Sequence, residues 1–207
     1  MKLSDIKIND KKQVVLTLTG VQIAFSGNGK NHFVANDFEG KLRHDFNCIL
    51  DDKHVKAVDK AIKLVAEAQG IDLSELTSKQ KPLRDGNKNK NKTTGEIYNG
   101  FEGKMYLSVI RHARSAKGDT IKPAVIYGGD KQVLTNPTDP RVKEDGCFAN
   151  VQVVLYGNKQ YSTISCSYDF LAFRNDPYEP FGGGATVENE GDLFDGTEEG
   201  EEGEDEI

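Results

Sequence analysis

The sequence predicts a mainly β domain folded as a small Greek-key barrel, with one main helix and an acidic C-terminal tail. Three observations predict it. Short stretches rich in β-branched residues, or alternating at period two, recur along the chain; one stretch alone carries helical spacing; and acidic residues crowd the end. One clear helix offers too few crossovers for a doubly wound sheet.

The elements follow in order. Residues 13–25 are rich in β-branched side chains and read as a strand, with Gly20 marking a bulge or bend. A loop follows over residues 26–30. Residues 42–50 alternate, placing Leu42, Phe46, Cys48 and Leu50 on the apolar face and Arg43, Asp45 and Asn47 on the other; His44 shares the apolar parity and reads as a hydrogen-bonded core histidine. Asp51 or Asp52 then offers a helix N-cap, Val55, Val58, Ile62 and Val65 recur at helical spacing, and Gly70 supplies the stop. Residues 79–94 hold six bases, one acid and almost nothing apolar, which predicts a mobile basic loop. Strand character returns at Gly103, with Met105, Leu107 and Val109 toward a core and Lys104, Tyr106 and Ser108 opposite. Residues 123–127 add a short strand. The strongest β signal is the last: residues 147–156 turn at Gly157 and Asn158 into residues 161–173, a hairpin. Within it Cys147, Ala149, Val151, Val153 and Leu155 form a core face, leaving Phe148, Asn150, Gln152 and Tyr156 outside. Five or so strands with long loops suit an OB-like barrel. It occupies residues 1–180. Residues 181–207, a glycine hinge followed by acids, lack the apolar mass to fold and are expected to be disordered.

Charge is divided between these parts. The formal net charge is −6, yet residues 188–207 hold eight Glu and three Asp with no Lys or Arg. Taking those 11 from the 33 acids leaves 22 against 27 bases, a body of about +5. A basic body with an acidic tail is what a polyanion binder needs when its own tail can imitate the polyanion. No window approaches the roughly 18 consecutive apolar residues of a membrane helix. The N-terminus leads into no apolar segment of the kind that directs secretion, so the expected location is the cytoplasm, that of the host if the chain is phage-encoded. Cys48, Cys147 and Cys166 are too scattered for a disulfide framework or a zinc site and read as buried thiols.

Catalytic patterns fail one by one. Gly29 and Lys30 lack the flanks of a phosphate loop, with Ala24 where the first glycine belongs and Asn31 where the hydroxyl belongs. Gly182, Gly183 and Gly184 read as a hinge. His32, His44, His54 and His112 stand in different elements without metal-ligand spacing. No serine stands in a nucleophile elbow, and Asp51 with Asp52 is better explained as a helix cap. No enzyme, cofactor or metal is expected.

A different pattern does stand out. Single-stranded nucleic acid is held by cations that track phosphates and by aromatic faces on which bases stack. Residues 79–122 interleave Arg84, Lys88, Lys90, Lys92, Lys104, Arg111, Arg114, Lys117 and Lys122 with Tyr98, Phe101 and Tyr106. Arg43 on its strand, and Phe148 and Tyr156 on theirs, complete the expected DNA-binding set: Arg43, Tyr98, Phe101, Lys104, Tyr106, Arg111, Arg114, Lys117, Lys122, Phe148 and Tyr156.

Two segments strengthen this. Residues 146–156 and 167–174, with Pro177, Tyr178, Glu179, Pro180, Phe181 and three glycines beyond, and the earlier run 95–109 followed by Arg111 and residues 121–125, resemble the replicative single-stranded-DNA-binding proteins of tailed phages. The likeness covers residues 40–207. It implies an OB barrel and an acidic tail that competes with DNA for the cleft and recruits replication proteins such as DNA polymerase or helicase/primase. The tail residues it implicates are Phe194, Glu204, Asp205, Glu206 and Ile207; some members end on an aromatic residue where this chain has Ile207, which leaves Phe194 as an alternative anchor. The implied role is sequence-independent protection of single-stranded DNA in phage replication or recombination, and a homodimer is compatible with it. A strand-annealing recombination protein and a DNA mimic that captures a host protein are the rival readings.

Overall fold

Residues 3–115 and 117–181 are described by the computed structural model. In chain order they form β1 (Gln13–Ala24), β2 (Asn36–Phe38), β3 (Lys41–Leu50), α1 (Asp52–Gln69), β4 (Leu83–Asp85), β5 (Met105–His112), β6 (Val125–Tyr127), β7 (Val133–Leu134), β8 (Phe148–Asn158) and β9 (Thr163–Phe173). All nine strands share one sheet in the order β4-β5-β3-β1-β8-β9-β6-β7, with β2 paired to β3. The fold is mainly β with one helix, as the periodicities predict. Four of the nine strands have two or three residues; of these only β6 lies where the sequence predicts a short strand, over residues 123–127.

β1 joins the two halves of this sheet. Its last residues pair antiparallel with β3, and most of its length pairs antiparallel with β8. The β1–β8 register shifts between Leu18 and Val21, at the expected bulge. Gly20 adopts φ +70° there, and its freed N–H donates to Asn150 Oδ1 at 3.0 Å. The sheet then curls until β5 and β9 lie side by side with no ladder between them. Arg111 bridges that seam. Its Nη1 donates to Tyr168 O at 2.7 Å and Asp169 Oδ1 at 2.8 Å on β9, and its Nε and Nη2 donate to Lys122 O.

The core fills the inside of the curl. The expected face of β8, from Cys147 and Ala149 to Leu155, is fully buried, as are Leu107 and Val109 of β5 and Phe46, Cys48 and Leu50 of β3. All three cysteines are free and buried. Leu42 departs from the expected apolar face and is 42% exposed, because the start of β3 runs out beyond the core to pair with β2. His44 is buried with Nδ1 2.9 Å from Asn31 O, a hydrogen-bonded core histidine as predicted. Helix α1 starts on Asp51, whose side chain accepts from His54 N, and stops at Gly70 in the left-handed conformation. It packs Ala57, Val58, Ala61, Ile62, Val65 and Ala66 against β8 and β1.

Two local expectations need correction. The β8–β9 turn is not at Gly157 and Asn158, which still pair with Ile164 and Thr163; the chain reverses over Lys159–Tyr161, and Ser162 takes up φ 45°. Residues 79–94 are also not a free loop. Leu83–Asp85 forms β4 on the edge of β5, Gly86 N donates to Lys104 O at 2.8 Å, and Lys90 bridges Ile97. Backbone hydrogen bonds to a neighbouring edge hold this segment, and residue composition carries no record of them.

Candidate nucleic-acid interface

The outer face of β3 and β5 forms the floor of an open groove of about 520 Å3. Arg43, Asp45 and Asn47 reach it from β3, and Tyr106, Ser108 and Ile110 from β5; Phe25, at the end of β1, flanks them. The folded-back segment with Asn89, Lys90, Asn91, Lys92, Thr93 and Tyr98 makes the other wall, with Arg84 below it. Bulk cations therefore face the groove from a segment that β4 and Gly86 anchor in place.

The charges are not equivalent. Arg43 Nε donates to Asp45 Oδ2 at 2.7 Å, and its guanidinium lies 3.8 Å over the Phe38 ring, so this cation is spent locally. Asp45 Oδ1 also accepts from Asn36 Nδ2 at 2.9 Å. Arg84, Lys90 and Lys92 form no ion pair with any described residue. Arg84 donates to the carbonyl oxygens of Lys81 at 3.3 Å and Lys79 at 3.5 Å, which leaves its charge unneutralised, so the groove presents three positive charges without a carboxylate partner among the described residues.

Its aromatic wall is built on strain. Phe25 adopts φ 56°, a conformation costly for a bulky residue, and stays 41% exposed. Tyr98 meets it edge-on at 4.8 Å, and the buried Phe101 supports it at 5.5 Å. Behind this pair lies a second cavity of about 290 Å3 that shares Phe25, Asn91 and Tyr98 with the groove.

The predicted residues divide accordingly. Arg43, Tyr98 and Tyr106 meet in the groove. Lys104, Arg114, Lys117 and Lys122 are exposed outside it. Phe101 is 1% exposed and Tyr106 8%; with Ala24 and Ile49 they make a small second core on the outer face of the sheet, their rings 5.1 Å apart and nearly perpendicular. Phe101 thus offers no face to a base, and Tyr106 offers only an edge. Arg111 is committed to the β5–β9 seam and does not line this groove. It lies with Tyr156 at a separate groove, whose lining also includes Val15, Val154 and Asp169. Burial raises the Tyr156 hydroxyl above its usual range. Phe148 is half-buried and lines neither groove. Phe194, Glu204, Asp205, Glu206 and Ile207, and the glycine hinge, lie outside the described residues.

A cation-lined groove with an aromatic wall, on the outer face of a curled sheet, agrees with the comparisons. A family model described as Enterobacter phage Enc34, ssDNA-binding protein, matches residues 13–205. The chain belongs to this family. Three solved structures share the fold. The single-stranded DNA-binding protein from bacteriophage Enc34 in complex with ssDNA has a TM-score of 0.61 at 14% identity, over 86% of this chain and 97% of that one. A second structure of the single-stranded DNA-binding protein from bacteriophage Enc34 gives 0.60 at 13%, over 91% and 97%, and its C-terminal truncation 0.59 at 14%, over 85% and 96%. No curated protein matches the chain.

In this member of the Enc34 family, Phe25 is the groove residue that pattern reading missed. It closes an apolar strand and reads as core; only its positive φ turns it outward. Arg84, Lys90 and Lys92 were visible as charge, but nothing in the sequence shows that β4 brings them opposite Arg43 and Tyr98. Among the described residues no group of three His, Cys, Asp or Glu is placed to hold a metal.

Proposed function

We propose that this protein is a non-enzymatic, largely sequence-independent binder of single-stranded DNA, built on an OB-like barrel and serving phage DNA replication or recombination in the host cytoplasm. The observation that carries this reading is the groove itself: Arg84, Lys90 and Lys92 stand without a carboxylate partner among the described residues, beside the exposed Phe25 and the half-buried Tyr98. Phosphates track the three cations while bases stack on the aromatic wall, at about 1–3 kcal/mol per stacked base. The five long strands in the order β5-β3-β1-β8-β9, with β9 turned back against β5, support the barrel assignment. Family membership supports the ligand.

The acidic tail competes with DNA for this groove and engages replication proteins such as DNA polymerase or helicase/primase through Phe194, Glu204, Asp205, Glu206 and Ile207. Its starting point favours that arrangement. Phe181 lines the cavity beside the groove, its N–H donating to Asp145 O at 2.9 Å, and the acids begin only seven residues later at Glu188.

Binding to fluorescent oligothymidine over a salt series, with duplex competitor, tests the reading for the full chain and for a version ending at Val187. Single-strand binding that weakens with salt and strengthens on removal of the tail is expected. Absence of binding by both forms refutes the proposal, and unchanged low-salt affinity without the tail refutes the competition.

A further inference from the structure

The cavity behind Phe25 and Tyr98 differs in charge from the groove it adjoins. Arg43, Arg84, Lys90 and Lys92 line the groove; no Lys, Arg or His lines the cavity, and two carboxylates do, Asp145 and Glu96. Ala24, Ile97, Phe101 and Phe181 give it apolar and aromatic walls, with the uncharged polar Asn91, Thr94 and Asn99 completing the lining. A phosphate is repelled from such a space. A planar, uncharged ring is not, and the cavity's 290 Å3 lies at the small end for ligand sites.

Asp145 is held in one orientation. Its Oδ1 accepts from Ser26 N at 2.8 Å and from Ser26 Oγ at 2.5 Å, while its backbone oxygen accepts from Phe181 N at 2.9 Å. Oδ2 has no hydrogen bond or ion pair with a described residue. A carboxylate pinned by Ser26 on the wall of this cavity, with one oxygen unpaired, is an acceptor for a donor bound there.

Resting on the proposed single-stranded DNA binding, we propose that this cavity is a base subsite: one nucleobase leaves the groove, passes Phe25 and Tyr98, and donates an exocyclic amine to Asp145. The subsite therefore prefers cytosine to thymine. Cytosine presents its N4 amine to a carboxylate, whereas thymine presents the O4 carbonyl at the same place. Binding is sequence-tolerant along the groove and selective at this one position.

The test compares an oligothymidine of about 15 nucleotides, near the upper end of what one OB-type domain covers, with the same strand carrying one central dC. The full chain is expected to bind the dC strand about tenfold tighter, ~1.4 kcal/mol, with the same salt slope because no phosphate changes. Asp145→Asn keeps an oxygen for Ser26 and replaces Oδ2 by an amide donor, so the preference should reverse toward thymine. Replacing the central dC by N4,N4-dimethyl-dC removes both donors with the chain untouched, and should return affinity to that of oligothymidine or below. This second arm decides the matter even if the variant does not fold. Equal affinity for dC and dT strands, or a preference that survives dimethylation, overturns the subsite while leaving the groove intact; failure to bind any of the strands overturns single-stranded DNA binding itself.

Discussion

Replacing Arg84, Lys90 and Lys92 together with glutamine should change how DNA affinity depends on salt, by an amount the groove sets. These three cations face the groove without an ion pair, whereas Arg43 is already committed to Asp45 and Phe38. Each phosphate contact with a single strand contributes about −0.7 to the slope of log K against log salt. Losing three flattens the slope by about 2.1. At about 0.1 M salt that amounts to about 2.1 decades, roughly a hundredfold loss or ~2.8 kcal/mol, and the loss vanishes on extrapolation to about 1 M. Fluorescence anisotropy with a labelled oligothymidine between about 50 and 200 mM salt measures both slopes. Two lines that converge at high salt are expected. Parallel lines, equally steep with the variant weaker throughout, would show that these side chains act by shaping the wall and not by meeting phosphate.

Three further outcomes follow from the packing. Arg111→Met removes the guanidinium that joins β5 to β9, at a cost of about 2–3 kcal/mol, seen as a fall in Tm of roughly 5–10 °C; the salt slope for DNA should stay as it was, since this residue lies outside the groove. His32 is fully buried, neither ring nitrogen has a hydrogen-bond partner among the described residues, and burial pushes its pKa down to about 3. Because its folded pKa lies below the unfolded value, the stability it permits is full above about pH 6.5 and is lost toward pH 3, at about 1.4 kcal/mol per pH unit. Between pH 6.5 and pH 4.5 the unfolding free energy from denaturant titration should thus fall by about 2–3 kcal/mol more in the parent than in His32→Leu; equal losses would refute it. A Cβ at Gly86 would collide with the carbonyl oxygens of Phe101 and Lys104, neither of which is free to move. Gly86→Ala should therefore detach the wall carrying Lys90 and Lys92, lowering DNA affinity and exposing the 79–94 segment to limited proteolysis.

The fold was legible wherever an element buried one face over several turns or pairs. α1 showed its 3.6 period, its Asp51 cap and its Gly70 stop, and β8 showed an unbroken alternation from Cys147 to Leu155. Apart from β6, the short strands were not legible. β4 pairs through three residues whose side chains are all half-buried, so neither period two nor an apolar run marks it. It exists because β5 offers an open edge, and an edge belongs to another part of the chain. The hairpin turn was misplaced for a related reason: Gly157 and Asn158 have the composition of a turn, yet pairing with Ile164 and Thr163 keeps them in the ladder, while Ser162 supplies the positive φ.

The site shows a deeper ambiguity in period-two reasoning. Alternation correctly puts Tyr106 on the face of β5 opposite Leu107 and Val109, where the sequence predicts a ring open to a base, yet it is only 8% exposed. A strand has two faces, however, and the outer one can carry its own core. Gly100 and Gly103, both at positive φ, bend residues 98–104 back so that Phe101 drops onto Tyr106, Ala24 and Ile49. The aromatic exposed instead is Phe25, raised into the groove by its own strained backbone and held there by Tyr98 and Phe101. Cations obey the same logic in reverse. Arg111 and Lys92 look alike as charges in a sequence, but Arg111 sits where two strands approach without a ladder and their carbonyl and carboxylate oxygens need a donor, so its charge is consumed by the fold. What leaves a cation's charge available to DNA is the lack of a carboxylate partner, a property of the surrounding fold that no count of Lys and Arg contains.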